Sequence, residues 1–200
     1  LIENDSGRAE VLLKGSAVEN LSLILRNGDI IKELRDEVDA YEYDLTIIGG
    51  SAKRSMSHDM IQYINSSIFV VNNFNKTINY KILLAVDDSP GTKKAVKYGV
   101  RVAQAFGIKV QIITVSEDEN FKEANKKSSE NASKMMRRCG VEAETKFEIG
   151  KPVEKIIEIA GEDHIIIMGA STQSPIAKFF VGSKPLNVMQ NSNCPILIVK

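Results

Sequence analysis

The chain has 200 residues, 43% of them hydrophobic and 26% charged, with 26 basic side chains balancing 26 acidic ones. That is enough chain for one large or two small domains with a sizeable core, and the composition is that of a soluble globular protein. Zero net charge argues against a nucleic-acid binder, which needs clustered cationic charge, and no apolar run approaches the ~18 residues of a bilayer span.

Cys139 and Cys194 sit in no CxxC or Cys/His pattern, so structural zinc is not expected. Unclustered cysteines with no visible signal peptide fit a reducing cytosol, and a cytoplasmic location is expected. The chain begins at Leu1 rather than methionine, as a cut or processed start would. His58 and His164 lie far apart, and neither adjoins a candidate nucleophile.

In chain order, residues 9–18 read as the end of a charged helix, and Leu21, Leu23 and Leu25 alternate like an edge strand. Residues 26–34, 44–50 and 68–71 resemble helix-opening and strand segments later in the chain. Residues 73–79 are a polar linker. Residues 82–86 form a strand buried on both faces, ending in Asp87-Asp88-Ser89-Pro90, with Ser89 placed as a helix N-cap and Pro90 at the first helical position. Val96, Val100, Ala103 and Phe106 make the apolar stripe of the next helix, and Gly107 stops it. Residues 110–115 are a second buried strand. Residues 117–138 are a loop and a charged helix with Ala124, Ala132, Met135 and Met136 on its apolar side.

Thr145, Phe147 and Ile149 alternate with charges, as on a half-buried edge strand. Gly150-Lys151-Pro152 opens a helix carrying Val153, Ile156, Ile157 and Ala160. Residues 165–168 are a third buried run, and Gly182-Ser183 leads into a short helix through Met189 before a last strand over 195–200. Alternating strands and helices imply parallel pairing by right-handed crossovers, hence an open, doubly wound α/β sheet. The first eighty residues repeat the later part of this pattern: 26–34 parallels 148–156, 44–50 parallels 163–169, and 68–71 parallels 196–199. Nothing in residues 1–79 corresponds to the first strand, first helix and second strand of 80–200, so the chain reads as a partial unit over 1–79 and a complete one over 80–200.

Lys81-Ile82-Leu83-Leu84-Ala85-Val86-Asp87-Asp88-Ser89 resembles the opening strand of the universal stress protein family. That family also carries a G-x-x-G-x9-G-[ST] pattern. Here Met168-Gly169-Ala170-Ser171-Thr172 is followed by nine residues and Gly182-Ser183, and Asn193-Cys194-Pro195-Ile196-Leu197-Ile198-Val199-Lys200 resembles the closing strand. The resemblance implies a five-stranded parallel sheet in order 3-2-1-4-5, with ATP at the carboxyl ends of the strands, where open α/β sheets bind ligands. It places Asp87 on the adenine or ribose side, the Val115 backbone at the adenine edge, and Gly169, Gly182 and Ser183 around the phosphates, with Ala85, Met168, Thr172 and Lys184 also in the nucleotide site. Glycine lets backbone approach an anion, and helix-start amides point at it.

Two positions depart from the pattern. Thr172 stands where the second glycine belongs, and a β-branched residue crowds the phosphate. Pro185 stands near where a hydroxyl residue assists the phosphates, and it has no N–H to donate. Both weaken a triphosphate site, and Mg²⁺ is expected only together with ATP. Residues 1–79 lack the Asp-bearing first strand, and only seventeen residues separate Gly50 from Ile68, so no nucleotide is expected there.

Other constellations have plainer readings. Asp87 and Asp88 suit a turn or helix cap better than acid–base chemistry. Ser89 with His164 lacks a G-x-S-x-G elbow, and Gly182-Ser183-Lys184 lacks the P-loop spacing. Phe179-Phe180 and Met135-Met136 read as core, and Lys126-Lys127 and Arg137-Arg138 as solvated faces.

The expectation is therefore a non-enzymatic, nucleotide-binding regulatory module acting through contacts with an unidentified protein partner. The alternative is a nucleotide-free interaction or regulatory domain, for instance a cytoplasmic piece of a larger protein such as a transporter. A weak ATPase is a third reading without a general base to support it. The family resemblance implies antiparallel pairing through the last strands, so Ile68-Phe69-Val70-Val71 and Ile196-Leu197-Ile198-Val199 are expected to pair within the chain or between copies.

Overall fold

A computed structural model describes residues 22, 24–49, 54–72, 78–118, 122–170 and 182–200. In chain order the elements are α1 (Ile30–Tyr41), β1 (Leu45–Gly49), α2 (Arg54–Tyr63), β2 (Ser67–Val71), β3 (Lys81–Ala85), α3 (Pro90–Phe106), β4 (Val110–Ser116), α4 (Lys122–Arg138), β5 (Ala143–Ile149), α5 (Pro152–Ala160), β6 (His164–Gly169), α6 (Ser183–Asn191) and β7 (Ile196–Val199). Among the described residues seven strands form one sheet in the order β1-β2-β7-β6-β3-β4-β5. The run β5-β4-β3-β6-β7 is parallel throughout and reproduces the expected 3-2-1-4-5 order. The sheet does not stop at five strands. β2 adds antiparallel to β7, with Phe69 opposite Leu197, and β1 adds parallel to β2. The expected pairing of the two last strands thus occurs inside the chain.

Local chemistry accounts for the elements. Asp29 caps α1 by accepting a hydrogen bond from the Lys32 amide at 2.9 Å, which satisfies one of the donors a helix start leaves open. On α3 the residues Ala95, Val96, Gly99, Val100 and Ala103 are buried, about two positions per turn of the stripe, and Gly107 ends the helix at φ 63°. Phe106 was expected in that stripe but is 72% exposed, because it lies on the last turn, where the helix runs off the sheet. Ser89 holds the N-cap position with an extended backbone but makes no side-chain cap bond. The alternation expected on β5 is weak: Phe147 is half-buried under the Lys126 ammonium of α4, whereas Thr145 and Ile149 are exposed.

Two apolar layers sandwich the sheet. On one face Leu83, Ile113, Ile166, Met168, Ile68 and Ile196 pack with side chains of α1, α2, α5 and α6. On the other, Ile82, Leu84, Ile112, Ile167 and Leu197 pack with Val96 and Val100 of α3 and Ala132 and Met136 of α4. Strands buried on both faces read as continuous apolar runs, as β3, β6 and β7 do. The Met135-Met136 pair fills core as expected, with Met136 fully buried. Cys139 is an exposed free thiol and Cys194 a buried one. No helix of the described residues is long and apolar enough to cross a membrane.

The expected helix end at 9–18 and Leu21 and Leu23 of the first expected strand lie outside the described residues, as do Thr172 and Phe179-Phe180. Residues 24–27 are described and form no strand.

Candidate functional site

The carboxyl ends of β3, β4 and β6 converge on a crevice facing the start of α6. Asp87 lies two residues beyond the end of β3 and is fixed by its own turn. Its Oδ1 accepts from the Ser89 amide at 3.0 Å and from the Thr92 hydroxyl at 2.9 Å, and the Thr92 hydroxyl also lies 2.9 Å from the Asp87 carbonyl. Asp87 is therefore the turn element its plain reading describes, and it also borders both hollows of the crevice. Asp88 next to it accepts from the Ser128 hydroxyl of α4 at 3.2 Å.

Two adjoining hollows make up the crevice. The inner one, a slot of 50 Å³, is lined by Ala85, Asp87, Val115, Ile156, Met168 and Gly169, with Lys184 and Pro185 at its rim. The outer one, of 620 Å³, is bounded by Asp87, Asp88, Val115, Glu117, Gly182, Ser183 and Lys184. Every site residue expected from the sequence and described in the structure borders one or both; Thr172 lies outside the described residues. Larger or similar hollows exist elsewhere: 930 Å³ between α5 and α6, and 680 Å³ around Lys81, Lys109, Arg137 and His164 at the opposite strand ends. In the latter a hydrogen bond from Lys81 holds the Asp163 carboxyl below its ordinary range. The former has the ends of β4 and β5 and the start of α5 in its wall but not Asp87, Gly169 or Gly182, and the latter lies at the amino ends of the strands.

The phosphate-side expectation acquires detail here. Gly182 holds the N-cap position of α6 and offers no side-chain cap to the Ser183 and Lys184 amides, while Pro185 removes the next donor. Gly169 has a separate reason to be glycine. A Cβ there would lie 2.5 Å from the Gly91 carbonyl carbon and 2.6 Å from its oxygen, because the first turn of α3 packs directly on the end of β6.

Residue spacing did not reveal several wall residues. Glu117 lies one residue beyond β4 and pairs with Lys184 across the crevice, Nζ to Oε1 3.5 Å. Asn125 of α4 also lines the outer hollow and donates to the Ser116 hydroxyl. Pro152 and Ile156 reach the inner slot from α5. Glu117 was detectable in principle, since it follows its strand as Asp87 follows β3. The α5 contribution depends on how that helix is laid across the sheet, which no motif marks.

A family model described as the universal stress protein family matches residues 79–200. The chain belongs to the universal stress protein family. A Thermus aquaticus universal stress protein is 32% identical over 133 residues, spanning 60% of this chain and 97% of that protein. A universal stress protein structure from Archaeoglobus fulgidus superposes with a TM-score of 0.71 at 18% identity, covering 100% of this chain and 78% of that one. Another from the same organism, in complex with dAMP, covers 62% of this chain and 100% of that chain at 22% identity, with a TM-score of 0.50. In this universal stress protein the matched segment begins just before β3, so the candidate crevice falls wholly within it.

Proposed function

We propose that the chain binds an adenine nucleotide in this crevice and acts as a regulatory module through protein contacts rather than by catalysis. The observation that carries the reading is the meeting of the Asp87 corner, the β4 end at Val115 and the start of α6 at Gly182 around one hollow. The outer hollow, with Val115 in its wall, has the volume for a base and its sugar, with the Asp87 carboxylate as acceptor for ribose hydroxyls, and the 50 Å³ inner slot is an apolar extension of it. The Ser183 and Lys184 amides and the Lys184 ammonium would meet the phosphates, helped by the α6 dipole. ATP is the expected ligand of the family pattern, and Mg²⁺ would enter with it; the residues supply binding and orientation, and no step of chemistry is assigned to them. The related protein solved with dAMP supports a nucleotide of this class. The cytoplasm is the proposed location.

A nucleotide-free interaction domain is the second reading, favoured by one feature: Lys184 is already engaged by Glu117 in a wall that also carries Asp87 and Asp88. Isothermal titration of the chain with ATP and Mg²⁺, and separately with AMP and adenosine, decides between them. The first reading expects saturable 1:1 binding that Asp87→Asn weakens; silence with all three ligands at millimolar concentration leaves the second.

A further inference from the structure

The crevice opens sideways into a second space with a different chemistry. The 930 Å³ hollow between α5 and α6 shares Glu117 and Lys184 with the outer hollow of the crevice, so the two meet at that ion pair. Both side chains of the pair are more than half exposed, 63% and 51%, and Nζ stands 3.5 Å from Oε1. An exposed pair of this kind contributes little stability, so a ligand can part it at small cost. Lys184 is also the residue placed at the phosphates, and a chain leaving the terminal phosphate reaches this mouth first.

The lining of the groove defines what it can hold. Its floor is Pro152, Val153 and Ile157 of α5, all half-buried, and its wall is Asn187 and Asn191 of α6, both exposed. Asn187 and Asn191 are four residues apart and so share one face of their helix. The ammonium groups of the lining are already engaged: Lys151 donates to Glu154 at 2.8 Å, and Lys184 pairs with Glu117. Glu158, the third carboxylate there, accepts from Lys155 of its own helix at 2.9 Å. Among the described residues the groove therefore presents apolar surface and side-chain amides but no unpaired cation. Further phosphate would lose hydration there without gaining a counter-charge, whereas methylene and amide groups find matching partners.

We propose that the crevice takes an adenine nucleotide esterified at its terminal phosphate to an uncharged chain of methylene and amide groups, and that this chain lies in the α5–α6 groove. The inference rests on nucleotide binding in the crevice and names the class of nucleotide. At 620 Å³ the outer hollow is already of a size for the nucleotide alone, so the groove is additional space. A mononucleotide leaves Val153 and Ile157 at the groove floor in water; the esterified chain covers them.

The test is isothermal titration under reducing conditions, which keep the exposed Cys139 as its thiol. It compares ADP with dephospho-coenzyme A, the same diphosphate carrying a pantetheine chain. Dephospho-coenzyme A should bind at least about tenfold tighter than ADP, a ratio that the net burial of about two methylene groups supplies after the cost of ordering the chain. Asn187→Trp, at an exposed position, fills the groove; it should bring the two ligands within about twofold of each other and leave ADP affinity unchanged. Ile157→Ala removes part of the floor and should reduce the ratio at least about threefold, with ADP affinity again unchanged as the check that the variant is folded. Equal affinities in the wild type, or an advantage that survives both substitutions, overturn the proposal and leave the nucleotide reading standing. Silence with ADP and dephospho-coenzyme A alike overturns the proposal together with the reading it rests on.

Discussion

Replacing Gly169 by alanine tests whether the crevice is built by packing between β6 and α3. The added methyl would lie 2.5, 2.6 and 2.8 Å from the carbonyl carbon, oxygen and Cα of Gly91. Ordinary contacts begin near 3.5 Å, so about 1 Å of displacement is needed, and the obstructing atoms are backbone rather than a side chain that can swing away. Overpacking of this kind costs roughly 1–3 kcal/mol, and a backbone obstruction belongs at the upper end. For a chain of this size about 3 kcal/mol corresponds to a melting-temperature loss of roughly 6–12 °C. Gly107→Ala is the control. It has nothing within 4 Å of the new methyl and φ at 63°, so it carries only the left-handed backbone penalty of about 1 kcal/mol. Urea unfolding of both variants gives the comparison. The damage from Gly169→Ala should also reach the site, because Thr92, one residue beyond Gly91, holds the Asp87 carboxylate. A Gly169→Ala variant within about 0.5 kcal/mol of wild type, or less damaged than Gly107→Ala, refutes the packing account.

Asp87→Ala should cost about 1–2 kcal/mol in urea unfolding, because the Ser89 amide loses its acceptor and the Thr92 hydroxyl one of its two. Asp87→Asn should recover most of that stability while still binding nucleotide more weakly, which separates turn from ligand contact by titration calorimetry. Glu117→Gln removes an exposed ion pair and should change stability by less than about 0.5 kcal/mol. By freeing Lys184 and deleting a carboxylate it should raise ATP affinity several-fold at low ionic strength, leave adenosine unchanged, and lose its effect near 1 M salt. Burial holds the Lys200 ammonium at about 8, below its ordinary 10.5. Between those values the unfolded chain binds the extra proton, so unfolding free energy should rise with pH from about 8 to 10.5. Lys200→Met should flatten that rise in urea titrations at the two ends of the window.

The parallel sheet and the location of the crevice were legible in the sequence for a physical reason. Strands such as Ile82-Leu83-Leu84-Ala85 and Ile165-Ile166-Ile167-Met168 are apolar on every residue because helices cover both faces. The turns after them concentrate Asp87, Gly169 and Gly182 where the backbone must bend or approach closely. Side chains that reach the site from another element left no comparable trace. Glu117 matters through its 3.5 Å approach to Lys184, a residue far along the chain, and Ile156 through the placement of α5. Phe106 fits the helical period and still faces water, since periodicity records the face of a helix and not where the sheet beneath it ends.

The sequence by itself determined the alternation of strands and helices, the family and the set of residues at the strand ends, because these depend on local period, turn chemistry and contiguous motifs. The tertiary structure alone decided three things: that β2 closes antiparallel on β7 within one chain, that Gly169 is constrained by the backbone of Gly91, and that β1 is left with Ile47 in solvent. Each depends on which surfaces meet across distant segments, and a strand's apolar residues are the same whether or not a neighbour is present to bury them.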